Sequence, residues 1–446
     1  MDMNLFMDKL LEAAKAAGIE TAEVYYYGGE NFRTRARDGE IDSYEVSASA
    51  GLSLRGTVGG RMGYASTEAF DDEAIAQLIE GVKESAALVE TDVQDEIFAG
   101  EAEYPTLEDV PSDLAEVSAD KKLELCLALE KLTREGDPRI TKADTMLSTN
   151  KTARRLKNSY GLDLSSEGGS FMAYASAIAV DGGSTADGGE NARGHMIGDL
   201  DVQKVAASAV EDAVGQLHGE PVPTGEYRVI LERHAMSALL RTFAGVFSAE
   251  SAQQNMSLLK GKEGTVVAAD IVTLMDDPLF PGGLNSRTFD AEGSATRTKA
   301  VIDKGVLTTL LHTRKTAKKQ GVAPTGNATR MGYSASVHVG PTNMFLKPGE
   351  KTLDELMADV GNGLVITGLS GLHAGANPAS GDFSLLSNGY TVEGGKRGKA
   401  VERVTIAGNF YELLKSIRAV GSDLELPLVG VDCPSVDAGV MKVSGK

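Results

Sequence analysis

The run Gly219-Glu-Pro-Val-Pro-Thr-Gly225 constrains the fold more than any other feature of the chain. Proline lacks a backbone N–H and clashes with the preceding helical turn, so two prolines and two glycines in seven residues force a break. Upstream of it, one order of elements occurs twice. Residues 5–17 carry apolar side chains at helical spacing and stop at Gly18. Extended runs follow at 22–27, 31–37, 41–49, 51–55 and 61–65, with Asp38-Gly39 and Gly59-Gly60 as turn signals. Asp71 caps a helix to about Val89. After an acidic connection at 101–113, Ser118 opens a helix through Leu132, extended segments run from about Ile140 to Val180, and Asp201 opens a helix to Leu217. The Gly-rich stretch 181–190 reads as a mobile loop. No residue-level repeat relates the two units.

Downstream, residues 227–231 read as a strand and 233–247 as a helix. Later segments are mostly extended, with turn signals at Asp303-Lys304-Gly305 and Asn388-Gly389. Thr352-Leu-Asp-Glu355 matches a capping box, and 410–420 reads as a last amphipathic helix. Strands and helices do not alternate strictly, so the expected class is α+β. It consists of N-terminal helix/antiparallel-sheet units followed by a larger, mainly antiparallel, β-rich C-terminal domain. The expected domains are residues 1–100, 114–218 and 226–446, within the two or three that 446 residues allow at ~150 each.

Charge narrows the partners. With 44 basic and 64 acidic residues the chain carries a net −20, which repels phosphate backbones. The basic clusters at 151–157 and 314–319 read as solvated faces, so direct nucleic-acid binding is disfavoured. Trp is absent and aromatics are 5%, against base-stacking platforms. Cys126 and Cys433 form no disulfide framework, and Cys126 sits in an apolar run that reads as core. The acidic N-terminus lacks signal-peptide character, and no apolar stretch reaches the ~18 residues of a membrane span. A soluble, cytoplasmic protein is expected.

Known catalytic motifs are missing. A zincin needs paired histidines on one helix with Glu beside the first, yet none of the six histidines (195, 218, 234, 312, 338, 373) is followed by Glu. No GxSxG or Walker A motif occurs. His218 and His312 read as solvated or locally bonded at element ends, and Asp276, Asp277, Asp290 and Glu292 as a solvated acidic loop.

Several ordered segments nonetheless resemble one family. Asp276-Asp-Pro-Leu-Phe-Pro-Gly-Gly-Leu-Asn-Ser-Arg287, Phe289-Asp-Ala-Glu-Gly293, Ile302-Asp-Lys-Gly-Val-Leu307 and Thr325-Gly-Asn-Ala-Thr329 are similar to the TldD/PmbA family. So are Gly375-Ala-Asn-Pro-Ala-Ser-Gly-Asp-Phe-Ser384, Val404-Thr-Ile-Ala-Gly-Asn409 and Cys433-Pro-Ser-Val436. Arg37-Asp-Gly-Glu-Ile-Asp42 and Gly51-Leu-Ser-Leu-Arg-Gly56 resemble its first domain, so the similarity spans nearly the whole chain.

In that family the TldD kind of subunit carries a His-Glu-x-x-x-His helix and a later Cys that hold zinc. The matching helix here reads His234-Ala-Met-Ser-Ala-Leu239, with Ala235 in place of the Glu and Leu239 in place of the second His. The resemblance is therefore to PmbA, also called TldE, the subunit lacking the zinc site. It implies no catalytic residue and no metal in this chain, with zinc in a TldD-like partner of a heterodimer that cleaves unfolded peptides. It also implies a role in shaping the chamber and holding substrate, and the family carries an older association with a modulator of DNA gyrase. Gly375, Asn377, Gly381, Asp382 and Ser384 are the candidate substrate-lining residues, against the alternative that they only build turns. Two other readings stay open: a stand-alone homodimeric peptide- or protein-binding regulator, and an independent hydrolase using His234, His338, His373 and Cys433.

Overall fold

Residue parity along two long N-terminal strands decides how the molecule is layered. The computed structural model describes residues 2–90 and 95–446; residue 1 and residues 91–94, which fall in the expected first unit, lie outside the described residues. Strands β1 (Ala22–Arg37) and β2 (Glu40–Val58) pair antiparallel. Successive side chains on a strand point to opposite faces. Even-numbered Val24, Phe32, Ala36, Leu52 and Leu54 face helices, whereas odd-numbered Glu23, Tyr25, Ser53 and Arg55 face the C-terminal half.

Helix α1 (Met3–Ala16) starts at Asp2, whose carboxylate accepts from the N–H groups of Asn4 and Leu5. Strand β3 (Arg61–Thr67) follows, then α2 (Asp72–Ala87), capped by Asp71 as expected. Phe6, Met7, Leu10, Leu78 and Val82 from the two helices pack on Val24, Leu52 and Leu54. Each such fully buried side chain contributes about 1.5–3 kcal/mol. The second unit comprises α3 (Ala119–Glu135), β4 (Ile140–Asn158), β5 (Asp163–Asp181), β6 (Ser184–Gly194) and α4 (Val202–Gly215). Its core includes Cys126 with Leu129, Leu147, Phe171 and Val205.

The two units share one sheet of order β3-β2-β1-β4-β5-β6, because β1 pairs with β4 along its length, from Glu23↔Asn158 to Arg37↔Asp144. The separate extended runs at 22–27 and 31–37 are one strand. Gly28 and Gly29 are flanked on both sides by partners, so the ladder carries the chain straight through them. The expected mobile loop at 181–190 is also corrected. Gly182 and Gly183 take φ of 53° and 88° as a tight turn, and β6 pairs with β5 from Asp181↔Ser184 onward. Gly188 is required by packing: a Cβ there would lie 2.1 Å from the Ala213 nitrogen on α4.

Beyond the 219–225 break, β7 (Gly225–Leu231) lies in a second six-stranded sheet, paired with Gly363–Ser370 and Val436–Ser444. Strands Asp382–Glu393 and Lys396–Asn409 extend it, and Lys396–Asn409 also pairs with Val436–Ser444, closing the sheet on itself. Helix α5 (Arg233–Phe243) packs against it, with Phe243 stacked on Phe410 at 4.6 Å. Only the β7 pairing with Gly363–Ser370 is parallel in this sheet. The fold is α+β with a β-rich C-terminal part, as expected. The Thr352/Glu355 capping box is present. Asn388-Gly389 is not a turn but the irregular middle of a strand, where Gly389 allows the carbonyl of Val365 to approach; the reversal is Gly394-Gly395. The helix expected over 410–420 ends at Ser416, and Ala419–Val420 is a strand.

The acidic segment 276–292 is corrected too. Asp276, Asp290 and Glu292 are almost fully buried, not solvated. Asp276 accepts from Thr342 N–H, Asn327 Nδ2 and Lys299 Nζ, and Asp290 from the N–H groups of Glu292, Ser294 and Ala328. Irregular backbone must find acceptors when it is buried, and these carboxylates supply them. His312 is likewise buried, which pushes its pKa down. Both basic clusters are paired with acids, Lys157 with Asp8 and Asp163, and Lys318 with Glu96. Among the described residues, no helix is long and apolar enough to cross a membrane.

The sheet's odd-numbered face meets the C-terminal half through a buried triad. Glu23 accepts from Arg55 Nη2 at 3.1 Å and from Arg330 Nη2 at 2.6 Å, and Arg330 stacks over the Tyr25 ring. Burial pushes the Glu23 pKa up, but the two guanidiniums outweigh it and hold the carboxyl below its ordinary value. E23Q leaves two buried guanidiniums uncompensated and is expected to cost about 3–5 kcal/mol in urea unfolding. Replacing all three groups with apolar side chains of similar volume should restore most of that loss.

Glu292 behaves oppositely. Burial first, and then the neighbouring Asp290, push its pKa up to about 7. Its contribution to stability is full below its ordinary value of 4.5 and is lost as pH rises through 7. E292Q should therefore flatten the fall in Tm over that interval, measured by thermal unfolding across pH.

Candidate functional site

Helix α5 has two faces set by its 100° step per residue. Ala235, Met236, Leu239, Leu240 and Phe243 are buried in the C-terminal core. Arg233, His234, Ser237 and Arg241 instead line a cavity of about 120 Å³. Asn191 and Arg193 of β6 and the segment from Glu425 to Cys433 complete its wall. Of the three motif positions, only His234 reaches this cavity. Ala235 and Leu239 are 1% and 0% exposed and turn into the core, so the structure does not bring them together with His234.

Glu232 caps the helix through His234 N–H at 2.8 Å and also lies 3.2 Å from His234 Nδ1. On the other side of the ring, Nε2 is 3.6 Å from Glu425 and 4.0 Å from Glu190. Hydrogen bonding to Glu232, then to Glu425, raises the His234 pKa to about 10. These acids favour the imidazolium, which has no lone pair free for a metal until it sheds a proton. Cys433 is no better as a ligand, because burial pushes its thiol strongly up. Its N–H is bonded to Ser237 Oγ at 2.8 Å. Zinc needs deprotonated donors, so these residues do not fit it. Among the described residues, no group of three or more His, Cys, Asp or Glu is placed to hold a metal. That includes His338, exposed beside Ser336, and His373, also exposed.

The segment Gly375–Ser384 lies elsewhere on the domain. Asn377 Oδ1 accepts from Ala379 and Ser380 N–H, while Asn409 Nδ2 donates to Ser380 O and Asp382 Oδ1. A Cβ on Gly375 would lie 2.4 Å from the Ser384 carbonyl oxygen, and one on Gly381 2.4 Å from the Tyr411 ring. The glycines serve the turn's own packing. None of Gly375, Asn377, Gly381, Asp382 and Ser384 lines the His234 cavity.

Two features escaped the sequence reading. Arg193 and Arg241 converge on the His234 cavity; Arg241 lies on the same helix face seven residues after His234, a legible signal, but Arg193 lies just past the 181–190 stretch read as a loop, where no element was expected. The other is a cleft of about 1170 Å³ between the N-terminal sheet and the Leu279–Ser286 segment. Gly28, Gly29, Gly168 and Gly169 line its sheet side, and His195 bridges the carbonyls of Gly169 and Gly282 at 2.9 and 3.2 Å.

Models of the PmbA/TldA metallopeptidases match three parts of the chain: domain 1 at residues 22–86, the central domain at 112–217 and the C-terminal domain at 224–445. The chain belongs to the TldD/PmbA family. Within this family it is 26% identical to Metalloprotease PmbA of Escherichia coli O157:H7, over 98% of this chain and 97% of that protein. A crystal structure from Thermotoga maritima MSB8, described as a proposed modulator of a DNA gyrase, matches with a TM-score of 0.92 and 31% identity, over 99% of this chain and 100% of that one. TldE from Thermococcus kodakarensis shares the fold, with a TM-score of 0.90 at 24% identity, over 99% and 100% of the two chains.

Restoring the motif's acid at Ala235 should fail for a physical reason. A carboxylate placed at this buried, apolar position has no partner and is expected to cost several kcal/mol. A235E should therefore lower Tm markedly and confer neither zinc binding nor peptidase activity, as measured by calorimetry, elemental analysis and cleavage of an unfolded peptide.

Proposed function

We propose that this chain is the PmbA/TldE-like, non-catalytic subunit of a TldD/TldE-type zinc peptidase complex, with the metal in a TldD-like partner. The observation that carries this reading is the state of His234. His234 stands between Glu232 and Glu425, which favour its protonated form, and the other two motif positions are apolar, offer a metal no donor and turn into the core. Without a bound metal there is no Lewis acid and no low-pKa water to attack a peptide carbonyl. The family's metallopeptidase character then points to a partner that supplies both.

The contribution of this subunit would be to wall the chamber and hold unfolded peptide. The 1170 Å³ cleft supports that role better than the Gly375–Ser384 turn, whose polar groups are occupied. It exceeds the ~300–1,000 Å³ of small-molecule sites. At Gly29 and Gly168 on its sheet wall no side chain crowds the missing Cβ, which leaves the backbone there open to close approach by an extended chain.

The purified chain alone should carry zinc far below one per chain and leave an unfolded peptide uncut. Mixed with the TldD-like chain of the same organism, it should form a heterodimer whose cleavage is abolished by a chelator. Chelator-sensitive cleavage by this chain alone would overturn the proposal. A homodimer that ignores the TldD-like chain yet binds peptide would favour the stand-alone regulator.

A further inference from the structure

We propose that the cavity beside His234 is a carboxylate-binding site, in which Arg193 and Arg241 together take a carboxylate of a bound peptide. The proposal rests on the peptide-holding role above and names the chemical group this site would grip.

Arg193 projects from β6 and Arg241 from the last turn of α5, two elements far apart in sequence that meet at one small cavity. Among the described residues, neither arginine forms an ion pair. Arg241 spends Nη2 on the Val431 carbonyl at 3.2 Å, and Arg193 Nε is buried without a partner. A buried donor left unmade is unfavourable, so a guanidinium in this state is short of an acceptor.

The nearby carboxylates are committed elsewhere. Glu425 faces His234 and Arg233, Glu232 caps the helix, and Asp432 accepts from Val429 N–H at 2.8 Å. The lining thus sets Arg193, Arg233, His234 and Arg241 against Glu425 and Asp432. With Glu190 and Glu232 beside His234 the charges balance, but among the described residues no carboxylate stands within ion-pair distance of Arg193 or Arg241. Burial, and then the charge of Arg241, depress the Arg193 pKa by more than the nearby Asp432 and Glu425 raise it. A volume of about 120 Å³ suits a carboxylate with a few waters. Guanidinium groups match that planar group through paired N–H donors.

The test uses the full chain with an unfolded peptide as free acid, as C-terminal amide, and as amide with one internal Gln replaced by Glu. Acetate is the minimal probe, against chloride at equal ionic strength. Fluorescence anisotropy should show the free acid binding at least about tenfold tighter than the Gln amide, with the difference lost in R193Q and in R241Q. Circular dichroism checks that both variants fold, and R193K serves as a second variant that keeps charge but loses the paired geometry. If the Glu amide matches the free acid, the site takes either carboxylate; if it matches the Gln amide, it takes the C-terminus alone. Acetate should raise Tm in the wild type and not in the variants. If no peptide binds but acetate still protects, the peptide-holding role fails and the carboxylate site stands. Equal binding of acid and amide forms, with no acetate protection, would overturn the site while leaving the peptide-holding role intact.

Discussion

Glu23 sits with two guanidiniums where the N-terminal sheet meets the C-terminal half. Its position follows from parity: an odd-numbered residue of β1 must face away from the four helices that cover the even-numbered side. Arg55 shares that face from β2, and Arg330 arrives from the other half of the chain. Three buried ionic groups form a poor source of net stability but a strict specification of register. A slip of one residue in β1 would turn Glu23 into the helix core and strand both arginines. The 1170 Å³ cleft lies between the same two bodies, so its shape depends on this docking.

On the proposed reading, the His234 cavity keeps its shape without metal chemistry. Acidic neighbours convert the remaining imidazole into a cation, and arginines from β6 and α5 occupy the same wall. Fixed organic cations therefore stand along this wall. Such groups can orient an anion but cannot activate water.

What could be read from the sequence was local or periodic. Asp71, Ser118, Asp201 and Thr352 each cap a helix through a bond spanning three residues, and all four stand where the pattern put them. Glycines were the main source of error. Gly28-Gly29, Gly188 and Gly389 look like breaks, yet each lies within a strand, and at Gly188 and Gly389 the missing Cβ makes room for a neighbour that only tertiary structure supplies. The burial of Asp276, Asp290 and Glu292 was hidden for a related reason, since Asn327 and Thr342 on Asp276, Ala328 on Asp290 and Arg314 on Glu292 come from distant segments. The convergence of Arg193 with Arg241 required β6 and α5 to be adjacent, which no spacing encodes.

The closed C-terminal sheet bears on how the molecule forms. Val436–Ser444 is the strand that pairs with both β7 and Lys396–Asn409, so the ring stays open until those residues have left the ribosome. Until then β7 and Lys396–Asn409 each present an unpaired edge, a template for wrong partners. The N-terminal sheet has no such wait, since all its strands precede the proline break. Synthesis therefore offers a finished platform on which an unfinished ring must close, and the most vulnerable interval for aggregation falls late in translation.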